Sequence, residues 1–216
     1  MKNKRIFFGI LMGFLLMVGM TFAAPTESQA AAKSSTAGLT SSKPIKYNKK
    51  KKEITILTTV NGTYFTQPTR HVIVNVDGSN GNKSLLKTNA TPKEFYNDLK
   101  KVGAKAGNNL TKDSKAGKKV KGTKLSVYFV INGKRVKAEK AVQVNKKNVK
   151  NLDFRFGGNM KTNNKMKTGC VLCFDSCPVG IASGAKYGFQ YGEHFTGKSS
   201  VMPKDGTKMA VVVKVK

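Results

Sequence analysis

Short β-prone runs that end in turn dipeptides punctuate this chain, and this pattern constrains its fold more than any other feature. "EITILTTV" alternates and stops at Asn61-Gly62. "RHVIVNV" follows, with Val72, Val74 and Val76 on one face, and stops at Asp77-Gly78. "KLSVYFVI" and "KRVKAEKAVQV" flank Asn132-Gly133, and "LDFRF" runs into Gly157-Gly158. Asn-Gly and Asp-Gly supply the positive φ angles of two-residue hairpins, so the pattern predicts antiparallel neighbours. "TKMAVVVKVK" reads as a final strand. One helix is written clearly in "TPKEFYNDLKKVG": Thr91 as N-cap, Pro92 at the first helical position, Glu94 closing a capping box, and Gly103 as a stop. Phe95, Leu99 and Val102 share its apolar face. The expected fold class is α+β: a mainly antiparallel sheet with one or two helices and a cysteine-bearing loop or helix near the C-terminus.

The N-terminus bears on compartment. Lys2, Lys4 and Arg5 precede an apolar run from Ile6 to about Ala24, and Ser28-Gln29-Ala30 offers a small-x-small cleavage site. This layout predicts a secretory signal peptide over residues 1–30, with an uncleaved membrane anchor as the alternative. Residues 31–46 are small and polar and read as a flexible leader. Residues 47–216 then form a single domain, and the expected location is secreted or extracytoplasmic, associated with the cell envelope.

Charge narrows the partners. The chain carries +29, and only Arg5, Arg70, Arg135 and Arg155 are arginine. Lysine is a hydrated point charge without the arginine fork, which favours loose attraction to polyanions over bidentate recognition. Outside a cell that means an anionic cell-wall polymer or an anionic lipid surface. Nucleic acid is not expected: the lysine runs are not interleaved with stacking aromatics, and there is no Trp.

All three cysteines fall in "TGCVLCFDSCPVGIASG", as C-x2-C-x3-C-P. This is the tail of the bacterial ferredoxin run, whose first ligand would fall on Lys167. An iron–sulfur cluster on Cys170, Cys173 and Cys177 would need another ligand, from His71, His194, Asp175 or a partner protein. Met160 and Met166 are soft donors better suited to Cu(I). Zinc or copper on the three cysteines with His194 is a second reading. A disulfide, Cys173–Cys177 or Cys170–Cys177, is a third in an oxidising compartment. Thiol exchange at Cys170–Cys173 is a fourth, if that pair begins a helix.

Other chemistry has little support. Ser183 in "GIASG" stands one place too late for a nucleophile elbow, and only two histidines are available as bases. Eleven acidic residues leave few carboxylates to pair for glycoside hydrolysis. "FGGN" lacks the Lys-Ser/Thr ending of a phosphate loop.

The order "RHVIVNVDG", "TPKEFYNDLKKVGAKAGNNL", "FRFGGN", "TGCVLCFDSCPVGI" and "PKDGTKMAVVV" resembles the YdjY-type domain family, whose members are named ferredoxin-like. The resemblance covers roughly residues 53–216. It implies a redox association, with Cys170, Cys173 and Cys177 as the candidate site and Arg155, Gly157, Gly158 and Asn159 beside it. The expected function is thus an exported, non-catalytic, redox-associated protein. Its cysteines would hold an iron–sulfur cluster or a metal for electron transfer with a membrane or extracellular redox partner. The alternative is an envelope-associated binding or structural module stapled by a disulfide.

Overall fold

A computed structural model describes residues 35–216. The predicted signal peptide over 1–30 lies outside the described residues. In chain order the elements are β1 (Ile45–Asn48), β2 (Glu53–Val60), β3 (His71–Asn75), β4 (Ser84–Thr88), α1 (Pro92–Lys101), β5 (Leu125–Ile131), β6 (Lys134–Lys137), α2 (Ala138–Ala141), β7 (Val142–Val144), β8 (Lys147–Asn148), β9 (Phe154–Phe156), α3 (Met160–Met166), β10 (Cys170–Cys173), β11 (Ala182–Gly184), β12 (Phe195–Gly197) and β13 (Lys208–Val215). Ten strands make one sheet in the order β6-β5-β13-β2-β4-β3-β10-β11-β9, with β1 paired to β2, and β12-β7-β8 make a small second sheet.

The expected α+β class with a chiefly antiparallel sheet is therefore corrected. Over the described residues the protein is mostly β, its large sheet is mixed, and the three α-helices α1, α2 and α3 are short. Two strand pairs are parallel, β3 with β4 and β10 with β11. Both arise the same way. The chain leaves one strand, returns through eight residues (76–83 and 174–181) and re-enters alongside in the same direction. Parallel strands ordinarily need a longer, usually helical crossover. Here glycines allow the return to be tight: a Cβ on Gly78 would strike the Thr168 carbonyl, and one on Gly184 the Phe174 carbonyl. Asp77-Gly78 does turn the chain, but not into a hairpin. Asn61-Gly62 does not form one either: Asn61 has φ −113° and starts a 3-10 turn over Gly62–Phe65. Asn132-Gly133 does join β5 to β6 as a hairpin, with φ of 50° and 74°.

The cysteine segment is neither loop nor helix at its start. Cys170–Cys173 is a strand inside the sheet, with every residue buried. β13 runs between β2 and β5, and both of its faces are also covered: Met209, Val211 and Val213 enter the main core, Ala210 and Val212 a separate cluster, so Met209–Val213 are all buried. That position explains its unbroken apolar run. The sheet also curls toward closure. Lys124 bridges Arg155, and the Phe156 amide donates to the Thr123 carbonyl at 2.9 Å, so β9 at one end meets the chain entering β5 near the other. Helix α1 carries the predicted capping box: Thr91 N donates to Glu94 Oε2 at 2.7 Å, and Glu94 N donates to Thr91 Oγ1 at 3.2 Å. Its Phe95, Leu99 and Val102 enter the main core. Of the stretch read as a leader, Leu39 is buried, Pro44 accepts a hydrogen bond from Leu57 N at 2.7 Å, and residues 45–46 open β1.

A bidentate ion pair ties the edge strand β6 to β2 across the two intervening strands. Arg135 Nη1 and Nη2 reach Glu53 Oε1 and Oε2 at 2.7 and 2.8 Å. The hydrogen bonds from Arg135 hold the Glu53 carboxyl below its ordinary value, against the pull of burial. Its contribution to stability is complete above the unfolded carboxyl value of about 4.3 and is lost as pH falls through the lowered folded value. Arg135→Gln should cost about 1 to 2 kcal/mol near neutral pH, seen as a melting temperature roughly 2 to 8 °C lower. The gap between variant and parent should shrink as pH is lowered below about 4, which thermal melts across pH will check.

Candidate metal centre

The pairing of β3 with β10 builds the site. It is antiparallel, with Cys173 opposite His71 and Cys170 opposite Val74. In a regular strand, residues three apart point to opposite faces. The register slips between Cys170 and Leu172 and again between Leu172 and Cys173. These irregularities bring both sulfurs to one ring nitrogen: His71 Nδ1 lies 3.6 Å from Cys170 Sγ and 3.7 Å from Cys173 Sγ. The three ligand atoms all lie within 4.8 Å of one another, and all three residues are buried.

Magnitudes decide what such a group can hold. With metal–nitrogen and metal–sulfur bonds of about 2.05 and 2.3 Å, the N···S edge of a tetrahedron is about 3.6 Å. The observed 3.6 and 3.7 Å fit donors on a single ion. A cluster spreads its protein ligands over several irons bridged by sulfide, which sets them further apart.

The return loops hold the donors in place. From the 76–83 return, Asn80 Nδ2 lies 3.6 Å from Cys170 Sγ. From α3, Asn163 Nδ2 donates to the Cys170 carbonyl at 2.9 Å and the Val179 carbonyl at 2.6 Å. Asn159, in the left-handed region at φ 45°, donates to the Cys177 and Gly180 carbonyls at 3.0 and 3.3 Å. Here the "FGGN" run acquires a role: its asparagine clamps the loop that carries the third cysteine. Gly157 and Gly158 lie against neighbours: a Cβ on Gly158 would strike the Asn108 side chain. Arg155 is paired with Asp153 at 3.0 Å and does not reach the sulfurs.

Electrostatics favours deprotonated sulfur at this place. The hydrogen bond from Cys173 holds Cys170 well below the ordinary thiol value, with help from His71 and Asn80. Cys173 is pushed well above it by its neighbours Cys170 and Cys177 and by burial. The pair therefore behaves as one dithiol that readily gives up a single proton. Arg70 stands beside it, paired with Asp175 through Nε–Oδ1 at 3.2 Å and Nη2–Oδ2 at 2.7 Å. Burial works against the Arg70 charge, but Asp175, Cys177 and Cys173 outweigh it and push the group above its ordinary value. Burial pushes Asp175 up despite this partner.

One buried polar atom is left over. Ser183 Oγ is the buried side-chain oxygen without a hydrogen-bond partner among the described residues. Ser183 pairs with Cys173 across β11 and β10. A Cβ added to Gly180 would sit 2.8 Å from Ser183 Oγ and 3.1 Å from Cys173 Sγ, so the hydroxyl and the thiol border the same small space. An unsatisfied buried hydroxyl costs about 1 to 3 kcal/mol. A ligand in that space would give it a partner.

The predicted site residues separate accordingly. Cys170 and Cys173 come together. Cys177 is buried in the same small cluster, with Val74 and Val179, but stands outside the three-ligand group. His194 is exposed and packs edge-on against Tyr191, ring centroids 5.1 Å apart. His71 is the histidine that stands against the two sulfurs. Asp175, a further candidate, is engaged by Arg70. The three cysteines are free thiols, with neither Cys173–Cys177 nor Cys170–Cys177, the alternative disulfide reading, bridged. Cys170–Cys173 lies on a strand, which removes the helix N-terminus that thiol exchange required. Ser183 drew notice only as a misplaced nucleophile, and nothing in the sequence marked Asn80 or Asn163. His71 carried a usable signal: it is one of two histidines and sits at the start of an unusually apolar strand.

Comparison with known proteins bears on the whole chain. The YdjY domain model matches residues 45–214. A relative from Escherichia coli (strain K12), named "Uncharacterized protein YdjY", is 41% identical over 210 residues, covering 93% of this chain and 92% of its own length. No solved structure matches. The domain match and this degree of identity together mean that the chain belongs to the YdjY domain family.

Proposed function

We propose that this protein is an exported metal-binding protein that holds one soft ion through His71 Nδ1, Cys170 Sγ and Cys173 Sγ. The observation that carries the reading is the pair of N···S separations, 3.6 and 3.7 Å, at the edge length of a single coordination tetrahedron. One nitrogen and two thiolates suit Zn(II) or Cu(I). Zn(II) would make the site redox-inert. Copper would keep the electron-transfer role that the ferredoxin-like resemblance implies. The spacing favours either over the iron–sulfur cluster expected from the cysteine run. Export rests on the predicted signal peptide. Among the described residues no helix is long and apolar enough to cross a membrane.

Anaerobic titration with Co(II), a spectroscopic stand-in for zinc, should give a thiolate charge-transfer band that saturates at one ion per chain. His71→Ala, Cys170→Ser and Cys173→Ser should each abolish the band, and His194→Ala should leave it intact. A band lost with His194→Ala and kept with His71→Ala would refute the assignment. Reconstitution with iron and sulfide that yields several irons and acid-labile sulfide per chain would replace the single ion by a cluster.

The asparagine clamp gives a second expectation. Asn163→Ala removes a side-chain donor from two buried carbonyls without touching a ligand atom. Metal affinity should fall about 10- to 100-fold, as for outer-sphere partners in other metal sites, while stoichiometry stays at one. Competition against a colorimetric chelator will measure this.

A further inference from the structure

Where the small sheet meets the large one, the surface is indented by a groove of about 580 Å³. Its walls come from the start of β5, the end of β6 with α2, the stretch after β8, and Lys198 and Lys216. Six lysines line it: Lys124, Lys137, Lys140, Lys150, Lys198 and Lys216. Two acids do so as well, and one of them, Asp153, is already paired with Arg155. None of the six lysines makes an ion pair among the described residues. Most lysines elsewhere are likewise unpaired, with Lys101, Lys112 and Lys214 as exceptions among the described residues, so what sets these six apart is that they line one concavity.

Six like charges converging on one concavity repel one another and gain nothing from each other. Walls of low dielectric also concentrate their field inside it. We propose that this groove is a binding site for a flexible phosphate-bearing polyanion, laid along it as an extended chain. Concavity selects the polymer over a membrane. A bilayer presents a plane of headgroups, which cannot descend to lysines on the walls of an indentation. A linear chain can enter and place successive phosphates between facing ammonium groups. Lysine suits this work because a mobile point charge follows an irregular polymer better than a rigid fork does. The groove residues include none of the metal-site donors, so this proposal stands or falls apart from the metal assignment.

The test holds total charge constant. One variant of the full chain carries Lys124→Ala, Lys137→Ala, Lys140→Ala and Lys150→Ala. A matched control carries Lys93→Ala, Lys115→Ala, Lys118→Ala and Lys204→Ala, all exposed and outside the groove. Binding of inorganic polyphosphate is measured at about 0.15 M salt, where the screening length is about 8 Å and diffuse attraction is weak. The groove variant should bind at least about tenfold more weakly than the parent, and the control within about twofold. Equal losses in both variants would overturn the proposal in favour of undirected charge. A groove variant that keeps polyphosphate binding but loses binding to vesicles of anionic phospholipid would overturn it in favour of a membrane surface. Circular dichroism and thermal melts confirm that both variants remain folded.

Discussion

The irregular pairing between β3 and β10 is the constraint on which the rest of the site depends. Two strands in perfect register would place Cys170 and Cys173 on opposite sides of the sheet. The double slip around Leu172 places both against His71, which begins the facing strand. Such local irregularities cost sheet hydrogen bonds and recur where a protein must re-aim a side chain. Side chains brace the cysteine strand and the return that follows it. Asn163 takes the Cys170 carbonyl, and Asn159 takes those of Cys177 and Gly180. The glycine-rich run after β9 and the cysteine run are thus two halves of one support.

Both parallel returns flank this pairing. In the sheet order β4-β3-β10-β11, the two antiparallel strands that hold the donors stand in the middle, each with a parallel neighbour outside. The first return sends Asn80 toward Cys170, and the second carries Cys177 and Asp175. Arg70, just before β3, then pins the second return through Asp175. The interior is further fixed by stacked rings, Phe174 on Phe195 with centroids 4.8 Å apart, next to the cysteine strand. The donors are consequently held from several sides by elements distant in the chain.

Local chemistry was readable and long-range pairing was not. The capping box of α1, the hairpin at Asn132-Gly133 and the closing valine strand are each decided within a few residues, and each is where the pattern put it. Asp77-Gly78 misled because a turn dipeptide states that the chain bends, not which way it re-enters the sheet. The parallel return after Gly78 rests on its fit against the carbonyl of residue 168, which no local window contains; Gly184 fits against residue 174, at the start of its own return. The site divides along the same line. Cys170 and Cys173 announced themselves by spacing. In sequence His71 differs from His194 only by opening an apolar strand, and it is the partner strand that sets it against the two sulfurs. Asn163 and Ser183 matter through what they face, and polar residues of these types carry no mark in sequence.

The donors on β3 and β10 are separated by 99 and 102 positions along the chain. Closing so large a loop is a late event, since its entropic cost must be met by contacts elsewhere first. An ion therefore cannot seed this architecture as it seeds a zinc finger; it can only be received by a sheet that has already come together. Under the metal assignment proposed above, maturation would have an order, with the polypeptide assembling empty and the ion arriving afterwards. If the chain is exported as an unfolded thread, as its N-terminal pattern predicts, the supply of that ion would lie at its destination and not where it was made.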